Sequence, residues 1–244
     1  MIFDNGTLTL AKERAMEHDS LGIGGLSERT LHKTLKLCFE PREEHHEREY
    51  LGMVVDILNE NGVTEIQTRS LEKLDKKLSR LLPEVRVELV YPIAVERRMA
   101  WVDPESGDVS EPRRIPRRGR AADALLELYR ISKHLENENL TVTLVLLNTL
   151  EYKEKNGVGK DKKKWATRLE RIPTELVDII TLKNKQDYFR LIPESLGKSF
   201  TASEFYKAAA FRTRRAYYAL MLLCELGVLS REKAGRAYLY SKNQ

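Results

Sequence analysis

The sequence predicts an α/β fold: a mixed central sheet with flanking helices, followed by a smaller C-terminal unit. Three observations lead to this prediction: an apolar hairpin at residues 50–68, amphipathic helices on both sides of it, and a basic tail with its own pattern of helices and strands. With 244 residues the chain can bury one large core or two domains. We expect an α/β domain over 1–160, a connecting segment over 161–182 and a second domain over 183–244.

Composition restricts the class of protein further. Hydrophobic residues make up 41% of the chain and charged residues 32%, as in soluble globular proteins. The sequence contains no apolar run of membrane-spanning length, and residues 1–19 lack the cationic and apolar regions of a signal peptide. Cys38 and Cys224 lie in apolar helical stretches and are expected to be reduced core residues. These features predict a cytoplasmic protein with no membrane partner.

The hairpin carries polar residues where an apolar pattern predicts none. Asn61-Gly62 is a favourable dipeptide for a type I′ turn, and that turn would place Asp56 across from Gln67 and diagonal to Glu65. Side chains alternate along a strand, so these three share one face. Two carboxylates there repel each other unless a proton or a cation lies between them, and a hard divalent cation prefers such oxygen ligands. The alternative is an ordinary charged, solvent-facing sheet surface.

Two predicted helices flank the hairpin. The first spans residues 27–40 and the second ends before Pro83. Their apolar positions follow helical spacing, at Leu31, Leu35 and Cys38 in the first helix and at Leu71, Leu74, Leu78 and Leu81 in the second. Strands are expected at residues 45–51, 53–58, 63–68 and from 85 onward.

In the order and spacing of these elements, residues 25–95 resemble the restriction-endonuclease-like core of the PD-(D/E)XK nuclease superfamily, which runs αβββαβ. The resemblance implies a Mg²⁺ or Mn²⁺ site formed by a helix carboxylate, an Asp on the second strand and a Glu-x-Lys on the third. The matching residues are Glu28, Asp56 and Glu65, and the backbone carbonyl of Ile66 is a further metal ligand. The implied reaction is metal-dependent hydrolysis of DNA phosphodiester bonds, with Asp56 and Glu65 holding the metal.

Gln67 stands where the family carries its lysine. Gln67 can orient water or phosphate but cannot stabilise charge as an ammonium does. The lysine can instead come from the second helix, as Lys73, Lys76 or Lys77, although these residues also fit the solvated face of an amphipathic helix. The sequence therefore leaves open whether the chain is an enzyme or a non-enzymatic DNA-binding regulator or scaffold with a degenerate nuclease fold.

The tail concentrates positive charge. Residues 197–244 hold nine Lys or Arg and three Glu, a net charge of +6 in a chain whose total is +5. This tail resembles a winged helix-turn-helix, with Thr201 or Ser203 capping a short helix and Gly227 ending a longer one. The resemblance implies nucleic-acid contacts, with duplex DNA as the partner, through Arg212, Arg214, Arg215, Lys233 and Arg236. The alternative is a protein-contact module.

A second basic segment lies in the middle of the chain. Residues 113–120 contain Arg113, Arg114, Arg117, Arg118 and Arg120, and two neighbouring prolines exclude a regular helix. We expect an exposed loop that either contacts phosphate or is simply solvated. Residues 121–135 then predict an amphipathic helix, and residues 141–150 a buried strand. A homodimer is compatible with this pattern.

The sequence predicts structural roles for three histidines, His32, His45 and His46. His45 and His46 lack the spacing of a zinc site and are expected at an exposed strand entrance. His32 lies one turn after Glu28 and can orient that carboxylate, but an ordinary helix-surface position is the simpler expectation.

Overall fold

Residues 3–17, 30–154, 167–211, 216–235 and 237–243 are described by the structure, which is a computed structural model. A seven-stranded sheet forms its centre, with strands β1 (His46–Tyr50), β2 (Met53–Asn59), β3 (Gly62–Ile66), β4 (Val87–Val102), β5 (Arg113–Ile115), β6 (Leu140–Glu154) and β7 (Thr167–Leu182). Their order is β1-β2-β3-β4-β6-β7, and β5 pairs with β4. The pairs β3–β4 and β4–β6 are parallel and the others antiparallel. The predicted mixed α/β sheet is confirmed.

Helices cover both faces of this sheet. One face packs against α1 (Asn5–Glu17) and α2 (Thr30–Phe39), and the other against α3 (Asp75–Leu81) and α4 (Ala124–Leu128). Single-turn or short 3₁₀ segments precede α3 and surround α4, at Leu71–Leu74, Ala121–Asp123 and Tyr129–His134. The first halves of β4 and β6 are mainly apolar on both sides, as expected where helices cover both faces of a sheet. Every leucine predicted to face the core from the second helix is buried.

The turn of the β2–β3 hairpin lies one residue earlier than predicted, and the pairing of the two strands differs from the predicted register by two residues. Asn59 pairs with Gly62 and Leu58 with Val63, so Glu60 and Asn61 form the turn. Asn61 does not adopt the positive φ that a type I′ turn requires. A shift of two residues preserves the alternation of faces but changes the cross-strand partners. Val55 and Ile57 pack in apolar clusters on opposite faces of the sheet, so the alternation is interrupted at Asp56 and the register does not fix the face of its side chain.

A glycine is required at position 62 because the backbone of Arg86 lies close to it, and not because of a type I′ turn. Its φ is 119°, and a Cβ added there would lie 2.3 Å from the carbonyl oxygen of Arg86. The backbone of β3 approaches the start of β4 closely at this point, because the Val63 amide donates to that carbonyl at 2.9 Å. The positive-φ pair expected of a type I′ turn occurs instead at Leu51-Gly52, which joins β1 to β2.

The C-terminal unit follows Leu182. It contains a 3₁₀ segment (Lys185–Leu191), β8 (Ser199–Thr201), α5 (Ala202–Ala208), α6 (Ala216–Glu225), β9 (Leu229–Ala234) and β10 (Ala237–Lys242), with a sheet order of β8-β10-β9. The Thr201 hydroxyl accepts the Glu204 amide and caps α5, as predicted. Gly227, two residues after the end of α6, has a φ of 62°, as expected of a helix C-terminal stop.

This unit packs against the α/β sheet and its helices in one continuous apolar cluster. The rings of Tyr129 and Tyr218 lie 4.9 Å apart, and the Arg120 guanidinium donates to the Ala208 carbonyl at 2.9 Å. Most of the segment predicted as a connector, 161–182, supplies β7, which pairs with β6 along its length. These residues belong to the sheet because β7 provides backbone partners for the otherwise open edge of β6.

Across the described helices, none is both long and apolar enough to cross a membrane.

Candidate functional site

Strands β2 and β3 separate at Asp56 and Glu65. Their backbone pairing ends at Ile57 and Thr64, although β2 continues along β1 and β3 continues along β4. Side chains replace the missing backbone bonds. Oδ2 of Asp56 accepts the Ile66 amide at 2.7 Å, and Oε1 of Glu65 accepts the Asp56 amide at 3.4 Å. The two carboxylates are therefore held side by side where the strands diverge.

Gln67 does not lie opposite Asp56, as the predicted register required. It follows the last residue of β3, and its amide donates to the Val90 carbonyl at 2.9 Å. Its side-chain oxygen accepts the Arg69 amide at 3.2 Å. The carboxamide is thus used in the turn that leaves β3.

Lys77 on α3 brings an ammonium to the site. Its Nζ lies 2.5 Å from Oε1 of Glu65 and donates to the Val54 carbonyl at 2.7 Å. Lys77 lies three residues after Leu74 and four before Leu81, so the packing of those leucines turns it inward. Lys73 and Lys76 are exposed. Of the three lysines considered from sequence, Lys77 is the one that contacts the paired carboxylates.

His32 also belongs to the site, which corrects its assignment as a helix-surface residue. Its Nε2 lies 2.8 Å from the Ile66 carbonyl oxygen and 3.2 Å from Oδ2 of Asp56. Both oxygens are acceptors, so Nε2 carries the proton. Glu28, the predicted helix carboxylate one turn before His32, lies outside the described residues.

The two carboxylates have pKa values shifted in opposite directions. Burial and the negative charge of Asp56 raise the pKa of Glu65 to about 7, against the opposing effect of Lys77. Burial also raises the pKa of Asp56, but His32, the Ile66 amide and Lys77 together outweigh it and leave this pKa below its usual value. Near neutral pH the site therefore holds one firmly charged carboxylate and one that exchanges a proton.

The donor set has the chemistry of a hard-cation site. The oxygens of Asp56 and Glu65 and the Ile66 carbonyl are the ligands that Mg²⁺ prefers, and Mg²⁺ is usually held by one or two carboxylates while it keeps several waters. In the part of the chain that the structure describes, no group of three or more His, Cys, Asp or Glu side chains is arranged to hold a metal. The His32 N–H donates to the Asp56 carboxylate and the Ile66 carbonyl, and the Lys77 ammonium lies 2.5 Å from Oε1 of Glu65. The oxygen donors are thus of the kind that Mg²⁺ prefers, and side-chain N–H groups of this chain already contact them.

The predicted basic loop is partly a strand. Residues 113–115 form β5 against β4, and Arg114 and Arg118 both pair with Glu96, the former at 2.8 Å. Arg117 lies 3.5 Å from Asp123. All five arginines are exposed, as predicted, although neighbouring carboxylates pair with three of them.

The residues predicted to contact nucleic acid in the tail lie mostly beyond the described ranges. Arg212, Arg214, Arg215 and Arg236 fall outside them, and Lys233 is an exposed residue of β9. Next to it, the Arg231 guanidinium lies 5.2 Å from the ring centroid of Tyr238, which is 47% exposed.

The fold and the site define a mixed α/β protein with two carboxylates, a lysine and a histidine gathered where two strands of its sheet separate. Residues 29–183, more than half of the chain, match a family described as a domain of unknown function (DUF8091), and the chain belongs to this family. The matched range ends one residue after β7 and includes the paired carboxylates and Lys77.

One relative is an uncharacterized protein of Treponema pallidum (strain Nichols). It is 27% identical over 222 residues, which cover 90% of this chain and 87% of the relative. No solved structure matches the chain.

Proposed function

We propose that this protein is a metal-dependent nuclease that hydrolyses DNA phosphodiester bonds at the site formed by Asp56, Glu65 and Lys77. The observation that carries the proposal is the position of Lys77, whose ammonium lies 2.5 Å from Glu65. A lysine from α3 thus compensates for Gln67, which stands at the position where the resembled nucleases carry theirs. The element order α2-β1-β2-β3-α3-β4, with β3 parallel to β4, agrees with that resemblance.

Each residue has a defined role in this proposal. Asp56, Glu65 and the Ile66 carbonyl would hold Mg²⁺ or Mn²⁺, and the bound ion would activate water and neutralise charge on the scissile phosphate. Lys77 stabilises negative charge that develops on the phosphate, a role that an amide cannot fill. Its ion pair with Glu65 and its hydrogen bond to the Val54 carbonyl keep the ammonium in place before substrate arrives.

The C-terminal unit would deliver the site to duplex DNA. Its order of helices and strands, with a β9–β10 hairpin after α6, agrees with a winged helix-turn-helix. Residues 197–244 carry a net charge of +6. The basic residues that precede α6 in sequence, and those of the β9–β10 hairpin, are suited to phosphate contacts. The exposed ring of Tyr238 is suited to contacts with sugars or bases.

Cleavage of a supercoiled plasmid tests the proposal. The wild-type protein should nick DNA with Mg²⁺ or Mn²⁺ and not with EDTA, and Asp56→Ala and Lys77→Met should lose at least about a hundredfold in rate, within the range of other charge-stabilising groups. Lys76→Met is the matched control, since Lys76 is the exposed neighbour on the same helix. Equal rates in the two lysine variants would contradict the role of Lys77.

A non-enzymatic DNA-binding regulator is the second candidate. It is favoured by His32, whose N–H donates to the Asp56 carboxylate and the Ile66 carbonyl and so satisfies both oxygens without a metal. In that case, DNA binding should survive Asp56→Ala and His32→Gln, and no divalent cation should produce cleavage.

A further inference from the structure

A basic cleft opens beside the carboxylate site. Its volume is about 330 Å³, and its charged lining consists of Arg97, Arg117 and Arg171 against Asp123 and Glu127. Three cations thus face two carboxylates. The Arg171 side chain is 20% exposed and that of Arg117 50%, so water screens the charge of Arg171 less than that of Arg117.

The cleft continues the sheet face that carries Glu65. Thr68 and Tyr91 belong to its lining. Leu89 pairs with Glu65 across the parallel strands, and Tyr91 lies two residues farther along β4. Because side chains two residues apart share a face, the cleft starts about 7 Å along the strand from the carboxylates.

The backbone is arranged to form this recess. The pairing of β4 with β6 shifts register between Ala94 and Arg97, and such bulges redirect the side chains beside them. The Gly119 amide donates to the Val95 carbonyl at 2.9 Å, and a Cβ at Gly119 would lie 2.3 Å from the Ala94 carbonyl oxygen. The glycine lets the loop carrying Arg117 close tightly onto β4.

The carboxylates of the cleft are already engaged. Asp123 accepts the Arg120 amide at 3.0 Å and lies 3.5 Å from Arg117. Glu127 accepts the Leu71 amide at 3.1 Å. Glu127 also lies 3.5 Å from Arg130, so each carboxylate has a cationic partner other than Arg97 and Arg171.

Positive charge at the cleft remains in excess. The side chain of Arg97 makes no hydrogen bond or ion pair with any group in the described ranges, and Arg171 donates through Nε to Glu151 at 3.2 Å. Burial, together with the nearby charge of Arg168, lowers the pKa of Arg171 despite Glu151. The charge of Arg97 also acts on Arg171, and Glu151 is shared among Arg171, Arg168 and Lys153.

Tyr91 adds a neutral donor. Burial, reinforced by the charge of Glu127, raises the pKa of its hydroxyl to about 12. The hydroxyl therefore keeps its proton at neutral pH and can donate to an anion.

We propose that this cleft is a phosphate-binding site in which Arg97, Arg117 and Arg171 hold the anion and the hydroxyls of Thr68 and Tyr91 complete it. Arginine forks match phosphate oxygens in geometry and charge. The assignment of this phosphate to a nucleic-acid strand that also reaches Asp56 and Glu65 rests on the proposed function. The binding of phosphate itself does not.

Calorimetric titration of the full chain in EDTA tests this site without any hydrolysis. Three ligands are compared: inorganic phosphate, a mononucleotide and a single-stranded DNA oligonucleotide. Arg97→Gln should raise the dissociation constant about tenfold or more, as expected for a lost charge-assisted contact. Arg98→Gln is the matched control because Arg98 is the exposed next residue, which donates to the Pro112 carbonyl outside the cleft. Melting curves establish that both variants fold.

The outcomes separate the two proposals. Arg97-dependent binding of inorganic phosphate or the mononucleotide supports a site for small phosphate ligands, and dependence with the oligonucleotide alone supports a strand phosphate. The double variant Asp56→Asn/Glu65→Gln should retain this binding, so a failure to find nuclease activity leaves the cleft proposal intact. Equal affinities of wild type and Arg97→Gln for all three ligands, or binding of none, would overturn it even in an active nuclease.

Discussion

Glu65 and Lys77 form an ion pair 2.5 Å long, yet the pKa of Glu65 is raised to about 7. The ammonium therefore does not offset the combined effect of burial and the adjacent Asp56 charge. A carboxyl group that is poised near neutral pH beside a lysine makes both the stability and the ligand affinity of the site depend on pH.

Glu65 should make the protein less stable as pH rises. The folded protein binds a proton at Glu65 more tightly than the unfolded chain, whose value is 4.5. The resulting stabilisation is complete below that value and is lost as pH rises to about 7, a change on the order of 3 kcal/mol. Urea denaturation of wild type and Glu65→Gln from pH 4.5 to 8 measures this change. The variant should gain stability relative to wild type across that window, and a constant difference would contradict the raised pKa.

Divalent cations should stabilise the protein most at high pH. Above pH 7 both Asp56 and Glu65 are charged, so saturating Mg²⁺ or Mn²⁺ should add about 1–3 kcal/mol and raise the melting temperature. Near pH 5.5 the proton on Glu65 competes with the metal and the shift should shrink. Differential scanning fluorimetry at both values measures this, with Asp56→Asn/Glu65→Gln as the control. The same shift in the control would place the bound cation elsewhere.

Gly62→Ala should destabilise the fold more than Gly52→Ala. Both glycines have positive φ, but a Cβ at position 62 would meet the Arg86 carbonyl at 2.3 Å, whereas position 52 has open space around it. Backbone strain alone costs about 1 kcal/mol at position 52, and the steric conflict should add to it by about 1–3 kcal/mol at position 62. Chemical denaturation of the two variants measures the difference. Equal losses would mean that β3 and β4 do not approach as closely as described.

DNA binding should weaken with salt and depend on the tail. Each engaged Lys or Arg contributes about 0.9 to the slope of log affinity against log salt concentration, so Arg214→Ala/Arg215→Ala should flatten the slope by roughly one to two. Fluorescence anisotropy of labelled duplex DNA with the full chain measures it. Arg48→Ala on β1, an exposed residue outside the tail, is the control. An unchanged slope in the double variant would favour a protein-contact role for the C-terminal unit.

The main elements of the α/β sheet and its core follow from local patterns. The spacing of Leu71, Leu74, Leu78 and Leu81 predicts the buried face of the second helix, and all four are buried. A register error of two residues leaves the alternation of faces unchanged, but that alternation is interrupted at Asp56, because Val55 and Ile57 pack on opposite faces of the sheet. Asp56 and Glu65 are instead held side by side by hydrogen bonds to backbone amides. Helix caps such as Thr201 likewise depend on residues only three positions apart.

The exact partners within the site do not follow from local patterns. The Asn61-Gly62 dipeptide predicts the turn one residue too late. Gly62 is needed for another reason, because the backbone of Arg86, the residue just before β4, approaches it closely. The predicted register therefore wrongly made Gln67 the cross-strand partner of Asp56. Periodicity alone cannot reveal such a constraint, since it arises between segments that are distant in sequence.

The sequence by itself determined the alternation of faces, the two amphipathic helices around the hairpin and the basic character of the tail, because each depends on residues within a few positions of one another. The tertiary structure decided that Lys77, and not Lys73 or Lys76, reaches Glu65, and that His32 reaches Asp56. Those choices depend on how α2 and α3 are rotated and placed on opposite faces of the sheet. Packing of the whole core sets these positions, and no local pattern specifies them.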